Sequence, residues 1–368
     1  MNATRAPDII VVGGGIVGTA AAAFLAQDGA RVMLVERDGL ASGASGANSG
    51  SVQHPFDPVL TQLYHPTLAL YQRLTVDAPG FRIGERPAGL LLLAHDEATV
   101  RAEADAMTGA YPYLTTEVLG GADLQAIEPA LAPDVWGCHF YVAYPIAPGA
   151  GTYAYATVAE ERGVAIRAGK AAELEVEGDR VAGVRVDGRL LRADSVLAAA
   201  GPGTSALLDP TGAWGPIAPV WGVVVETAHA ALGGMVLESV EPYGPGGLNF
   251  HYVLSDGAGA VGSTHLDDEP APADWIERVL LNAAGFVPAI ADAAIRSVRC
   301  CARPQSADGR PLIGWVPGLR GLAVCAGHGP WGVSTGPGSA RLAADLLLGR
   351  SPVIPPELDP ARFGAPRG

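Results

Sequence analysis

Asp8-Ile-Ile-Val-Val-Gly-Gly-Gly-Ile-Val-Gly18 is the stretch on which the reading of the fold turns. Ile9 to Val12 is a short apolar run that stops at glycines, the pattern of a parallel strand buried on both faces. From Ile16 to Gln27 the chain is rich in strong helix formers, and Asp28-Gly29 is a natural stop. Arg31-Val-Met-Leu-Val-Glu36 then reads as a second strand. Strand, glycine turn, helix and strand in this order form a βαβ unit, and that context gives the G-x-G-x-x-G spacing of Gly13, Gly15 and Gly18 its meaning. The glycines serve a tight turn, close approach of backbone to a pyrophosphate, and close packing of helix on strand. Ile16 and Val17 open the helix, whose N-terminus favours phosphate charge. Glu36 lies 18 positions after Gly18 and can accept both hydroxyls of a ribose. It would repel a 2′-phosphate, so NADP is disfavoured. Arg37 beside it belongs to the same candidate cofactor set. By itself the turn does not separate NAD from FAD.

The rest of the chain must make that choice, and its bulk properties narrow the field first. At 368 residues there is length for two domains with a cofactor between them. Hydrophobic residues at 49% and charged residues at 17% fit a folded α/β protein and exclude a disordered one. A net charge of -14 without a Lys/Arg cluster repels nucleic acid and anionic lipid, so no nucleic-acid partner is expected. The four cysteines have no C-x-x-C spacing, which indicates neither a metal site nor a disulfide framework, and the cytoplasm is the default location. Ile9 to Val12 is too short for a signal-peptide core or a bilayer span, and no transmembrane segment is visible. Helices are expected at 59–74, 96–107, 121–128, 274–284 and 334–348. Strands at 164–166, 172–176, 181–186 and 195–199 read as a meander returning to the sheet, and 221–226, 248–254 and 259–263 are also strand-like.

Residues 41 to 51 are small and polar, and a loop that lets backbone approach a ligand explains them better than a linker inside one sheet. Ala41-Ser-Gly-Ala-Ser-Gly-Ala-Asn-Ser-Gly50, Leu197-Ala-Ala-Ala-Gly-Pro202, Arg303-Pro-Gln-Ser-Ala-Asp-Gly-Arg-Pro-Leu-Ile-Gly314 and Ala326-Gly-His-Gly-Pro-Trp-Gly332 follow in that order. Together with the first turn they resemble the D-amino-acid oxidase (DAO) superfamily over the whole chain. The superfamily includes glycine oxidase, monomeric sarcosine oxidase, D-amino acid dehydrogenases and the flavoprotein subunits of hydrogen cyanide synthase and opine dehydrogenases.

That resemblance implies FAD and an α/β fold in two parts. A Rossmann-type FAD-binding domain is expected from the discontinuous segments 1–80, 146–214 and 299–368. An α+β substrate domain based on a mostly antiparallel sheet is expected from 81–145 and 215–298. By the same likeness Ser42, Gly43, Ala44, Ser45, Asn48, Ser49 and Gly50 should line the pyrophosphate, ribityl chain and flavin edge, joined by Ala171, Ala200 and Gly201. Gly327, His328, Gly329, Trp331 and Gly332 should face the pyrimidine end of the flavin, with His328 in a packing or hydrogen-bonding role. In sarcosine-oxidase-like relatives a cysteine seven residues before the motif aspartate carries the flavin covalently, and Cys301 lies seven before Asp308. Most of the superfamily has a small residue there. The first reading is therefore non-covalent FAD, and the second is a link through Cys301.

For the substrate, the resemblance assigns Arg303 to a bidentate pair with a carboxylate, a geometry that suits guanidinium. Relatives also place a Tyr or an Arg on a substrate-domain strand facing the flavin. Strand alternation sends His251 and Tyr252 to opposite faces, and Tyr252 is the preferred candidate. The lack of an Arg on this strand argues against assuming an ordinary α-amino acid. His54, after the serine-rich loop, is a further candidate beside the flavin. The implied reaction is oxidation of the C–N bond of an amine or amino acid to an imine by hydride transfer to flavin N5. Two alternatives stand beside it. One is oxidation of a 2-hydroxy acid with His54 or His251 as base. The other is a flavoprotein subunit of a multi-protein dehydrogenase, and a partner subunit or a homo-oligomer is compatible with the sequence.

Overall fold

The computed structural model describes residues 6–228, 232–241 and 247–366. Ile9–Val12 is the inner strand of a six-stranded sheet and pairs in parallel with Ser195–Ala198 on one side and Val32–Val35 on the other. Leu322–Ala326 and Ala165–Arg167 extend the parallel arrangement outward, and Leu312–Trp315 closes one edge antiparallel. All four residues of Ile9–Val12 are buried, which is why the run is uniformly apolar rather than alternating. Helix Ile16–Gln27 begins and ends as the sequence suggests. Its residues Ile16 to Leu25 are all buried, because it packs on the helices Ala150–Glu161 and Gly332–Leu347 as well as on the sheet. Four consecutive alanines, Ala20 to Ala23, let those helices come close.

Ala150–Glu161 was not expected from sequence. Gly149 stands at its start with φ 79°, and Gly151 lies inside it because a side chain there would press on the Tyr71 ring. Both glycines mimic a loop. The expected meander divides: Glu173–Glu177, Arg180–Val186 and Arg189–Arg192 form their own antiparallel sheet, while Ala165–Arg167 and Ser195–Ala198 belong to the parallel one.

The second layer is an eight-stranded sheet in which Val236–Ser239 with Leu90–Ala94 is the parallel pair among antiparallel ones. Leu90–Ala94 is buried throughout, so its Leu-Leu-Leu-Leu-Ala run lacks the alternation by which strands are found. Ile295–Ser306 pairs with Ile217–Ala228 along nearly its whole length, from Ile217 opposite Ser306 to Thr227 opposite Ile295. A boundary at 298/299 therefore cuts through a strand that belongs to the larger sheet as far as Ser306. The far end of this strand reaches the six-stranded layer, where Gln305 bridges to His328. Among the described residues, no helix is long and apolar enough to cross a membrane.

Candidate cofactor and substrate site

A cavity of about 560 Å³ opens between the two layers. On one side it meets the carboxyl ends of the parallel strands, at Val12, Val35, Ala199 and Ala326, which is where open α/β sheets hold ligands. Gly13, Gly15, Ile16 and Val17 line it. Gly13 has φ 121°, and a Cβ there would collide with the Ala199 carbonyl oxygen. Gly18 does not line the cavity; its hydrogen lies against the Gly13 carbonyl, where no side chain fits. Ser45 Oγ accepts from the Ile16 amide at 3.0 Å, and so marks the anion-seeking end of the helix. Glu36 and Arg37 form the next part of the wall. Glu36 accepts from the Gly14 amide at 2.5 Å and from the Asp38 amide at 2.9 Å.

Ser42, Gly43, Ala44, Ser45, Asn48 and Ser49 line the same cavity, as do Ala171, Ala200 and Gly201. Gly50 does not: at φ 94° it lets the Ile146 backbone approach. His328, Gly329, Trp331 and Gly332 face the cavity at the start of helix Gly332–Leu347, whereas Gly327 turns toward Ile217 and Leu312. Burial pushes the His328 imidazole down to about 4, so it is neutral. Several buried polar atoms around the cavity have no protein partner: Asn48 Oδ1, Asn249 Oδ1, His251 Nδ1 and His328 Nε2. A glycine cradle with no room for side chains, a helix N-terminus, a ribose-reaching carboxylate and unpaired donors and acceptors together fit a flavin dinucleotide. Among the described residues, no group of three or more His, Cys, Asp or Glu is placed to hold a metal ion.

The larger sheet supplies the opposite wall. His251 is cross-strand neighbour to Glu238 and Gly262 and faces the cavity. Tyr252 pairs with Leu237 and Val261, both core residues, and is fully buried with its hydroxyl unpaired. The expectation for Tyr252 is thereby corrected: alternation holds, but the register turns the tyrosine into the core and the histidine outward. Burial pushes the Tyr252 phenol up to about 12 and the His251 imidazole down.

His54 is corrected in the same way. Gln53 faces the cavity, while His54 is fully buried behind it, with Nε2 2.9 Å from the Tyr113 hydroxyl and Tyr64 and Tyr111 edge-on to its ring. Burial pushes His54 down to about 4, and it does not line the cavity. Cys301 lies on the wall, its thiol pushed up by burial.

Arg303 also lines the cavity, and donates to the Thr264 carbonyl at 2.8 Å and to the Ser263 hydroxyl. Its guanidinium lies on Gly222 of the neighbouring strand, where a Cβ would come within 2.5 to 2.7 Å of its atoms. Gly222, Glu238 and Asn249 were not singled out from sequence. For Gly222 a signal existed: a glycine inside the apolar run Trp221-Gly-Val-Val-Val-Glu226 marks a close approach. Glu238, a lone acid in Val236-Leu-Glu-Ser239, was an equally visible one.

Comparison with known proteins agrees with this architecture. The family model for DAO, FAD dependent oxidoreductase, matches residues 8–346. Glycine oxidase of Pseudomonas aeruginosa is 32% identical over 384 residues, which covers 98% of this chain and 98% of the relative. D-amino acid dehydrogenase of Methylobacterium radiotolerans is 29% identical over 418 residues, covering 94% and 97%. The crystal structure of glycine oxidase from Bacillus cereus superimposes with a TM-score of 0.83 at 25% identity, over 94% of this chain and 96% of that one. The chain belongs to the DAO family of FAD-dependent oxidoreductases.

Proposed function

We propose that the protein oxidises the C–N bond of a small amino acid or secondary amine to an imine, with the substrate carboxylate held by Arg303. The observation that carries this reading is a guanidinium fixed on the cavity wall by Ser263 and Thr264 and seated on Gly222. A planar fork held in this way suits a carboxylate. Relatives named glycine oxidase and D-amino acid dehydrogenase support the substrate class. FAD, when bound, supplies the two-electron acceptor. The chain's own part is to hold the flavin on the Gly13–Gly18 turn, Glu36 and the 42–49 loop, and to orient the substrate from the sheet. Burial keeps the Cys301 thiol protonated, which favours non-covalent FAD.

His251 supports a second reading. Its neutral imidazole with an unpaired Nδ1 could take a hydroxyl proton, as oxidation of a 2-hydroxy acid requires. Anaerobic titration of the yellow holoenzyme separates the two readings. Bleaching at 450 nm by glycine, sarcosine or D- or L-amino acids is expected, with lactate and other 2-hydroxy acids inert; the reverse pattern rejects C–N oxidation. Acid precipitation of the same sample should leave the colour in the supernatant.

The seat beneath Arg303 gives a milder test. Gly222→Ala should raise KM for carboxylate-bearing substrates about 10-fold, with a smaller change in kcat and unchanged flavin content, because the added methyl displaces the guanidinium. Unchanged KM would show that the seat does not matter.

A further inference from the structure

We propose that Arg299 is a positioning residue for the cofactor, which fastens the loop of residues 42–49 to the sheet that carries Arg303 and so sets how tightly FAD is held. The inference rests on the cavity as the FAD site. Arg299 and Glu226 lie on the paired strands Ile295–Ser306 and Ile217–Ala228, with Arg299 opposite Val224 and Glu226 opposite Ser297. Gly222 and Val224 line the cavity from one of these strands, and Cys301 and Arg303 from the other. A period of two puts Glu226 and Arg299 on the same face, one step beyond the cavity edge.

There the two side chains meet. Arg299 Nη1 donates to Glu226 Oε2 at 2.6 Å, and the Ser297 hydroxyl donates to the same oxygen at 3.0 Å. Pairing with Glu226 holds the planar fork in place and leaves its second arm for the other layer. Arg299 Nη2 donates to the Asn48 carbonyl at 3.3 Å.

The place of that carbonyl gives the contact its meaning. Helix Ala44–Ala47 has four residues, too few to hold its shape alone, and depends on outside fastenings. Ser45 takes two in its own layer: its Oγ accepts from the Ile16 amide and its carbonyl from the Gly149 amide, both at 3.0 Å. Asn48 closes the end of the helix, where its Nδ2 donates to the carbonyls of Ala44 and Ser45 at 3.1 and 2.7 Å. Asn48 lines the cavity, and its Oδ1 is buried without a protein partner. Arg299 thus holds the exit of the loop from the opposite layer, on the strand that also presents Arg303.

The test compares Arg299→Met with Glu226→Gln. Both lose the ion pair and should lower Tm, but only the first loses the bond to Asn48. FAD affinity is read without turnover, from the flavin fluorescence released when the holoenzyme is diluted. Arg299→Met should raise the Kd for FAD about 10-fold, as loss of one charge-assisted bond predicts, and Glu226→Gln less than about 3-fold. Should the Met variant not fold, Arg299→Lys keeps a cation for Glu226 without the second arm of the fork, and is expected to raise Kd about 5-fold. An unchanged Kd in whichever Arg299 variant folds, or an equal rise in Glu226→Gln, would make the pair a structural brace and overturn the proposal. Gly13→Ala, measured in parallel, keeps the two readings apart. If it loses FAD while the Arg299 variant does not, the clamp alone fails; if neither loses FAD, the cavity reading fails with it.

Discussion

Arg303→Ala is expected to lower kcat/KM for carboxylate-bearing substrates about 1,000-fold, and to leave the protein folded and yellow. The loss follows from the setting of the guanidinium. It lies in a cavity walled by protein, where charge-assisted bonds are strong and an unpaired substrate carboxylate is penalised. A 1,000-fold effect corresponds to about 4 kcal/mol, within the range for removing one partner of a desolvated charge pair. FAD should remain because the cradle proposed for it lies in the other layer, around Gly13, Glu36 and Ser45. Arg303→Lys should recover only part of the activity: an ammonium keeps the charge, but cannot bond Ser263, Thr264 and both carboxylate oxygens in one plane. Steady-state kinetics with flavin absorbance on the same preparations decides the matter. A variant with near-normal kcat/KM would remove Arg303 from the substrate.

Gly13→Ala should yield colourless protein. At φ 121° the backbone is in a region open to glycine, and the new methyl would meet the Ala199 carbonyl at the end of the neighbouring strand. Either the turn or the strand end must move, and both border the cavity. The expected outcome is at least about a 100-fold loss of FAD affinity and a lower Tm, the loss of ligand linkage adding to the strain. Gly80→Ala is the matched control, since a Cβ there meets nothing within 4 Å. Absorbance at 450 nm after purification, followed by titration with FAD, gives the comparison. Normal FAD affinity in the Gly13 variant would mean that the turn does not hold the dinucleotide.

The parts of the molecule that could be read in the sequence are those in which neighbours in the chain are neighbours in space. Ile9 to Gln27 is such a part: strand, turn and helix follow one another, and burial of the strand on both faces leaves an apolar run with clear ends. The choice between His251 and Tyr252 was of another kind. Alternation says that they part, but which one faces the ligand depends on Leu237 and Val261 across the sheet. His54 fails for a similar reason, since the Ser51–Gln53 strand ends one residue before it and the chain carries it behind Gln53 among Phe56, Tyr64 and Tyr111. Gly222 acquires its meaning only from Arg303, more than eighty positions away in the chain. Leu90–Ala94 was missed because a strand covered on both sides loses its period of two.

The continuity of the Ile295–Ser306 strand has a consequence for how this enzyme can change. The strand carries Arg303, the proposed carboxylate anchor, on the cavity wall and, at Gln305, bridges to His328 in the segment proposed to face the flavin. Two residues of extended chain are a rigid ruler of about 7 Å. The spacing along the strand from residue 303 to the bridge at Gln305 is thus a property of backbone, while Gly222, Ser263 and Thr264 set where the guanidinium itself lies. Changes in the side chains that line the cavity can therefore alter the proposed site while this backbone spacing stays in place, so that new substrates can arise in this lineage without rebuilding the sheet.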